Sequence, residues 1–144
     1  MAQYSATFTL VTPWGTITLN GGTSPYYYVD PDNCSGLDME PVRIVVDDKP
    51  QAAGGIVHPG LYGPRYVVLS GLLIFGTDSE RTVLEDNLTN ALKSIVAANG
   101  SLQWTPTGGT SRTLTVRCDI GASYPGASNK KFVFGLVCAN PTWV

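Results

Sequence analysis

Apolar and polar positions alternate along most of this chain. Tyr4, Ala6, Phe8 and Leu10 are interleaved with Ser5, Thr7 and Thr9, the period of a half-buried strand. Pro13-Trp14-Gly15 supplies a turn, and Thr16 to Asn20 resumes with Ile17 and Leu19 on one face, which predicts a hairpin. Asn20-Gly21-Gly22 ends it. Tyr26 to Val29 reads as a short aromatic strand stopped by Asp30-Pro31. Near the C-terminus Leu102 and Trp104 share a face, followed by a turn at Pro106 to Gly109. Leu114, Val116 and Cys118 then alternate with Thr113, Thr115 and Arg117. A polar loop from Gly121 to Lys130 leads to a last strand carrying Phe132, Phe134, Leu136 and Cys138.

One segment follows the helical period instead. Leu84, Leu88, Ala91, Leu92 and Ile95 recur on one side, with Glu85, Asp86, Asn90 and Lys93 on the other. Thr77 and Glu80 have the spacing of a capping box, in which hydroxyl and carboxylate each accept from an amide at the helix start. The helix is predicted from about Asp78 to Ala98, with Asn99-Gly100 as its end and the glycine as a left-handed cap. The fold class is therefore mainly β with one α-helix, an antiparallel sandwich or barrel in a single domain over 1–144.

The middle of the chain departs from simple alternation. Gly36 to Arg43 enters a short apolar run, Val42 to Val46, and Asp47-Asp48-Lys49-Pro50 makes a charged turn. A loop from Gln51 to Pro64 follows, carrying Gly54, Gly55, Gly60 and Gly63. It delivers the chain into Arg65 to Phe75, the most apolar run of the sequence. Val67, Val68, Leu69, Leu72, Leu73, Ile74 and Phe75 are apolar at positions of both parities. Neither face of such a strand meets water cheaply, so one side needs the helix and the other a second sheet or another subunit. Gly71, inside it, marks a bulge or a close backbone approach.

Composition sharpens this picture. Charged residues make up 14% of the chain, against about 25% in an average soluble domain. So few charges leave little to keep copies apart, which suits an assembly. The net charge of -2 excludes a basic nucleic-acid footprint. Cys34, Cys118 and Cys138 have no metal-ligand spacing and read as free thiols. The longest apolar run, about ten residues, is half of what a membrane helix needs, so no membrane insertion is expected.

Candidate chemistry is thin. His58, the single histidine, sits before Pro59 with no nucleophile motif around it. Asp30, Asp32 and Asp38 suggest a calcium loop, but Ser35 stands where the loop needs glycine and Pro41 where it needs glutamate. Gly54-Gly55 and Gly108-Gly109 lack the Lys-Ser or Lys-Thr of a phosphate loop and read as turns. No catalytic residue, metal or cofactor is expected. Tyr26, Tyr27, Tyr28 and Trp104 supply the surfaces for an alternative, a carbohydrate-binding sandwich.

The order of these features resembles the N-terminal, tail-tube-like domain of the phage distal tail protein family. The resemblance rests on Gly36 to Arg43 before a short strand, Pro50 with Gly54-Gly55, and Tyr62-Gly63 leading to Arg65. It continues through Leu69 to Ile74, the Arg81 to Ile95 helix, Leu102 after Gly100, Arg112 to Arg117, and Asn140-Pro141-Thr142-Trp143. It implies a virion structural protein, not an enzyme, assembled in the bacterial host cytoplasm as a homo-hexameric ring. The ring would join the tail tube to the tail tip or baseplate, and DNA would pass its lumen without specific binding. A major tail-tube protein shares the fold and is the alternative within this reading. Longer members carry a second, often galectin-like, domain, whereas this chain is read as one tail-tube-like domain without it. Arg43, Gly54, Gly55, His58, Tyr62, Gly63 and Arg65 are the candidate assembly residues. Gln51 to Pro64 is expected to contact a neighbour, and Arg65 to form an ion pair with Asp47 or Asp48.

Overall fold

The computed structural model describes residues 7–21, 24–29, 34–37, 42–44, 46–49, 53–57, 60–106, 108–125, 130–140 and 142. Tyr4, Ala6, His58 and the aspartates Asp30, Asp32 and Asp38 lie outside them.

The first hairpin forms as the alternation predicts. β1 (Thr7–Val11) pairs antiparallel with β2 (Thr16–Leu19), Phe8 opposite Leu19 and Leu10 opposite Ile17. These four side chains are buried, and the threonines between them point outward. The tyrosine strand is β3 (Tyr26–Val29), which lies antiparallel against β8 (Arg65–Ile74). β9 (Gly100–Thr105), β10 (Arg112–Ser123) and β11 (Lys131–Cys138) complete the main sheet. Seven strands close into a barrel in the order β1-β2-β3-β8-β11-β10-β9, with β9 pairing back to β1.

The seam between β2 and β3 departs from the antiparallel expectation. It is parallel, and a single residue pair, Leu19 with Tyr27, holds its ladder. Asn20 supplies what the short strands lack. Its backbone N–H donates to the Tyr27 carbonyl at 2.8 Å. Its side chain accepts from the Val29 N–H at 2.7 Å and donates Nδ2 to the Val29 carbonyl at 3.3 Å. The side-chain amide thus stands in for one more residue of strand. Its φ of 61° is one that asparagine tolerates better than most residues. Asn20→Ala removes both side-chain bonds and should cost about 2 kcal/mol, at about 1 kcal/mol per bond. Urea unfolding checks this, and an unchanged midpoint would show that the seam holds without the amide.

Helix α1 (Asp78–Ser94) carries the predicted capping box. Thr77 Oγ1 accepts from the Glu80 N–H, and Glu80 Oε1 accepts from the Thr77 N–H. Leu84, Leu88, Ala91 and Leu92 are buried in the same core as the barrel's inward residues. The helix touches β2, β8 and β10, strands from opposite sides of the barrel wall, so it lies across one end. Tyr27 ties this lid down by donating its hydroxyl to the Leu84 carbonyl. Tyr124 does the same to the Glu85 carbonyl at 2.8 Å.

The helix is four residues shorter than the predicted Asp78 to Ala98. Ile95 leaves the helical path because its carbonyl accepts from the Cys118 N–H of β10 at 3.1 Å, while its side chain is wholly buried. Gly100 is no left-handed cap. It begins β9, where an added Cβ would lie 2.9 Å from the Val11 carbonyl oxygen and 2.8 Å from Ile95. The expected polar loop after Gly121 also starts later, since β10 continues to Ser123 through two register shifts against β11.

Candidate assembly surface

The segment read as a short strand and a glycine-rich loop is a β-arm. β4 (Val42–Arg43) pairs with β7 (Leu61–Tyr62), and β5 (Val46–Asp48) pairs with β6 (Gly55–Val57). From the Val42/Tyr62 pair to the Val46/Val57 pair the outgoing strand advances four residues and the return strand five. The two ladders are separate two-stranded sheets, offset from one another by one residue. Gly54 turns its tip at φ 89°, and its carbonyl accepts from the Lys49 N–H at 3.3 Å. The Gly54-Gly55 turn is therefore the tip of the arm.

The arm is apolar and exposed. Val42, Ile44 and Val46 follow one another at every second position, with Tyr62 opposite Val42 and Val57 opposite Val46. Leu61 pairs with Arg43 and Ile56 with Asp47, one step further along each ladder. All seven are exposed, Val57 and Leu61 to about two thirds of their surface (66% and 65%). A two-stranded ribbon has no core of its own and is marginal in water. Such a row of apolar side chains marks a surface meant to be covered. The barrel is closed, so among the described strands full open edges lie on this arm.

The base of the arm is fixed rigidly. Ser35 and Val68 exchange both backbone bonds, 3.0 and 3.1 Å, beside β8. Gly36 sits at φ 84°, where a Cβ would meet the Tyr66 carbonyl oxygen at 2.0 Å. Its own carbonyl accepts from Arg65 Nη1 at 2.6 Å. Gly63 is buried beside this junction. Arg65, 1% exposed, is thus a structural tie at the root of the arm, whose charge the sequence suggested for pairing with Asp47 or Asp48 on β5. Arg43 lies in β4 opposite Leu61. Arg43, Gly54, Gly55 and Tyr62 share the arm, while Gly63 and Arg65 form its root.

Arg65 also faces Cys138, its partner in the β8–β11 register. Burial pushes the Cys138 thiol up to about 11, with the Arg65 charge acting in the opposite direction. Burial raises the Tyr27 phenol as well, helped by Tyr124. A raised acid favours the folded state while it stays protonated. The stability it confers is complete below its ordinary value and lost as pH climbs through the folded one. Unfolding midpoints should therefore fall from about pH 8.5 to about pH 11, and Cys138→Ala should flatten part of that slope. A midpoint constant over this range would contradict the burial of these groups.

The outer face of β3, β8 and β11 is a second apolar surface. Tyr66, Val68, Leu72, Val133 and Val137 point outward there, and Ile120 of β10 lies across Gly135. Inward, Arg65, Val67, Leu69 and Leu73 are buried. This answers the expectation that both faces of the central strand need cover: the barrel core covers one, and the other stays half open. Gly71 is the predicted close approach, a Cβ there falling 1.8 Å from the Tyr28 carbonyl oxygen.

Chemistry does not gather anywhere comparable. Among the described residues no three His, Cys, Asp or Glu side chains come together as a metal cage, and no helix is long and apolar enough to cross a membrane. The tyrosines of β3 make no joint platform for a sugar. Tyr27 points into the core, edge-on to Phe132, and Trp104 stacks on Phe8 at 6.1 Å. All three cysteines are free.

No protein-family model matches the chain, and no curated protein matches it in sequence. The solved structures are more informative. The crystal structure of SPP1 Dit (gp 19.1), described as a paradigm of the hub adsorption apparatus in phages infecting Gram-positive bacteria, superposes with a TM-score of 0.62 at 16% identity. The match covers 93% of this chain. The fold is that of a phage distal tail protein. The chain spans half the length of that distal tail protein, 50% of which is covered.

Proposed function

We propose that this chain is a non-enzymatic structural protein of a phage tail, acting as a ring of six copies at the distal end of the tail tube. The observation that carries this reading is the exposed apolar arm on a closed barrel with the fold of a distal tail protein. A closed barrel cannot extend its own sheet into a neighbour, so copies must be joined by appended segments or by face packing. The arm and the outer face of β8 and β11 provide both. In this reading the ring docks on the last ring of the tube on one side and on the tail tip or baseplate on the other, and DNA passes through it. The protein is then a component of the virion, assembled in the host cytoplasm.

Light scattering on the purified chain tests the proposal. A mass near six times 15.3 kDa is expected, with a ring in electron micrographs. A monomer at every concentration would overturn it. Stacks of many rings would identify a tube protein instead of a single hub.

A further inference from the structure

Beside the root of the arm, where the end of β11 meets the first half of β10, the surface holds a cleft of about 440 Å³. Pro64, Asn99, Thr115, Arg117, Val137 and Asn140 line it. Val137 and Pro64 supply apolar surface, and the polar side chains are held so that they present donors. Arg117 Nε donates to Asn99 Oδ1 at 2.8 Å, which fixes the guanidinium plane and leaves its terminal N–H fork. The same bond engages the Asn99 oxygen, so that amide presents its NH2 group. Asn140 repeats the arrangement, its Oδ1 accepting from the Thr142 N–H at 3.2 Å. Among the described residues Arg117 is the one charged member of the lining, and no carboxylate lies in ion-pair range of it. Arg117 stands opposite Val137, and Val137 opposite Tyr66, so these three form an outward row across β10, β11 and β8.

We infer that this cleft is a carboxylate-binding site, taking a glutamate side chain from a partner protein. A guanidinium held in one plane matches the two oxygens of a carboxylate. One cation beside neutral amide donors balances a single negative charge, where a doubly charged phosphate would call for a second cation. The two methylenes of glutamate suit the apolar surface of Val137 and Pro64. Arginine and tyrosine are the residue types that anchor protein contacts, and Tyr66 offers an exposed ring to the residue beside that glutamate. The described glutamates of this chain are engaged at home: Glu80 caps α1 and Glu85 pairs with Arg81. The ligand therefore comes from a different protein. The site lies within one subunit and stands whether or not the chain forms a ring.

The probes are two tripeptides, leucine-glutamate-alanine and leucine-glutamine-alanine, acetylated and amidated so that no terminal charge remains. Saturation-transfer NMR reads their binding to the unaltered full chain, to Arg117→Gln and to Arg117→Lys, at about 50 mM salt to limit screening. Arg117 is exposed, so both variants should melt with the parent. The glutamate peptide should bind the unaltered chain at least about tenfold more tightly than the glutamine peptide. Arg117→Gln should erase that difference, and Arg117→Lys should lose most of it, because lysine carries the charge without the planar fork. No preference in the unaltered chain, or a preference that persists in Arg117→Gln, would overturn the inference. A full preference in Arg117→Lys would also overturn it, since attraction by charge alone would then suffice. Inorganic phosphate displacing the glutamate peptide more readily than acetate does would make the cleft a general anion site and overturn the carboxylate assignment. Light scattering on the same samples reads self-association separately. A smaller particle for Arg117→Gln than for the parent would seat a second copy in the cleft and overturn the choice of partner.

Discussion

Gly71→Val should abolish the native fold. A Cβ at this position would stand 1.8 Å from the Tyr28 carbonyl oxygen, 2.8 Å from its carbon and 2.9 Å from the Val29 Cα. All three atoms are β3 backbone, which cannot rotate away as a side-chain tip could. β3 would have to leave β8, and among the described residues it is tied to β2 on its other side by the Leu19/Tyr27 pair and the Asn20 clamp. Its departure exposes Tyr27 and Val29, opens the barrel and frees the helix from the Tyr27 hydroxyl. Ordinary overpacking costs about 1–3 kcal/mol. Here a whole strand is lost, so the cost should exceed about 4 kcal/mol, comparable with the net stability of a domain of this size. Circular dichroism on heating should show no cooperative transition for Gly71→Val. Gly15→Ala serves as control, because a Cβ there meets nothing within 4 Å. A Gly71→Val protein melting with the parent would refute the account.

Gly71 was legible in the sequence because a glycine inside an apolar run has few other reasons to be there. The strands of the barrel and the capping box were legible for a similar reason, since each is a local pattern read over a few residues. The misses are all non-local. Ile95 to Ala98 continue the apolar composition of the helix, and nothing in them announces that the Ile95 carbonyl is taken by Cys118, 23 residues later. The segment from Gln51 to Pro64 read as a loop because four glycines dominate it. Its strands exist only through pairing with β4 and β5, and the one-residue offset between the two ladders blurs any alternation. Asn20 looked like the end of a hairpin, and its role depends on β3 arriving beside it. The assembly candidates fared similarly. The glycines locate the arm in the sequence, but its exposed apolar residues, Val57 and Leu61 among them, lie in what reads as a loop. Their signal was present, because apolar side chains in a supposed loop lack a reason to be there.

Introducing charge at those two positions should separate folding from assembly. Val57→Asp combined with Leu61→Asp places carboxylates on a ribbon that contributes nothing to the barrel core. The barrel should therefore melt within a degree or two of the parent, since exposed substitutions of this kind usually shift stability by less than about 0.5 kcal/mol. Assembly should respond very differently. Each side chain, fully buried against a neighbour, would stabilise the contact by about 1.5–3 kcal/mol, and a buried unpaired carboxylate costs further. Association should weaken at least about a hundredfold, equivalent to about 2.8 kcal/mol, leaving monomers at concentrations where the proposed ring of the parent should form. Light scattering and thermal melting on the same preparation read both quantities. A ring that survives would show that the arm is not a joint between copies. A barrel that melts early would show that the arm packs on its own subunit, which its exposure argues against. Assembly lost with the barrel intact would make the arm a joint between copies, and the 14% charged fraction would then suit a surface partly covered in the assembly.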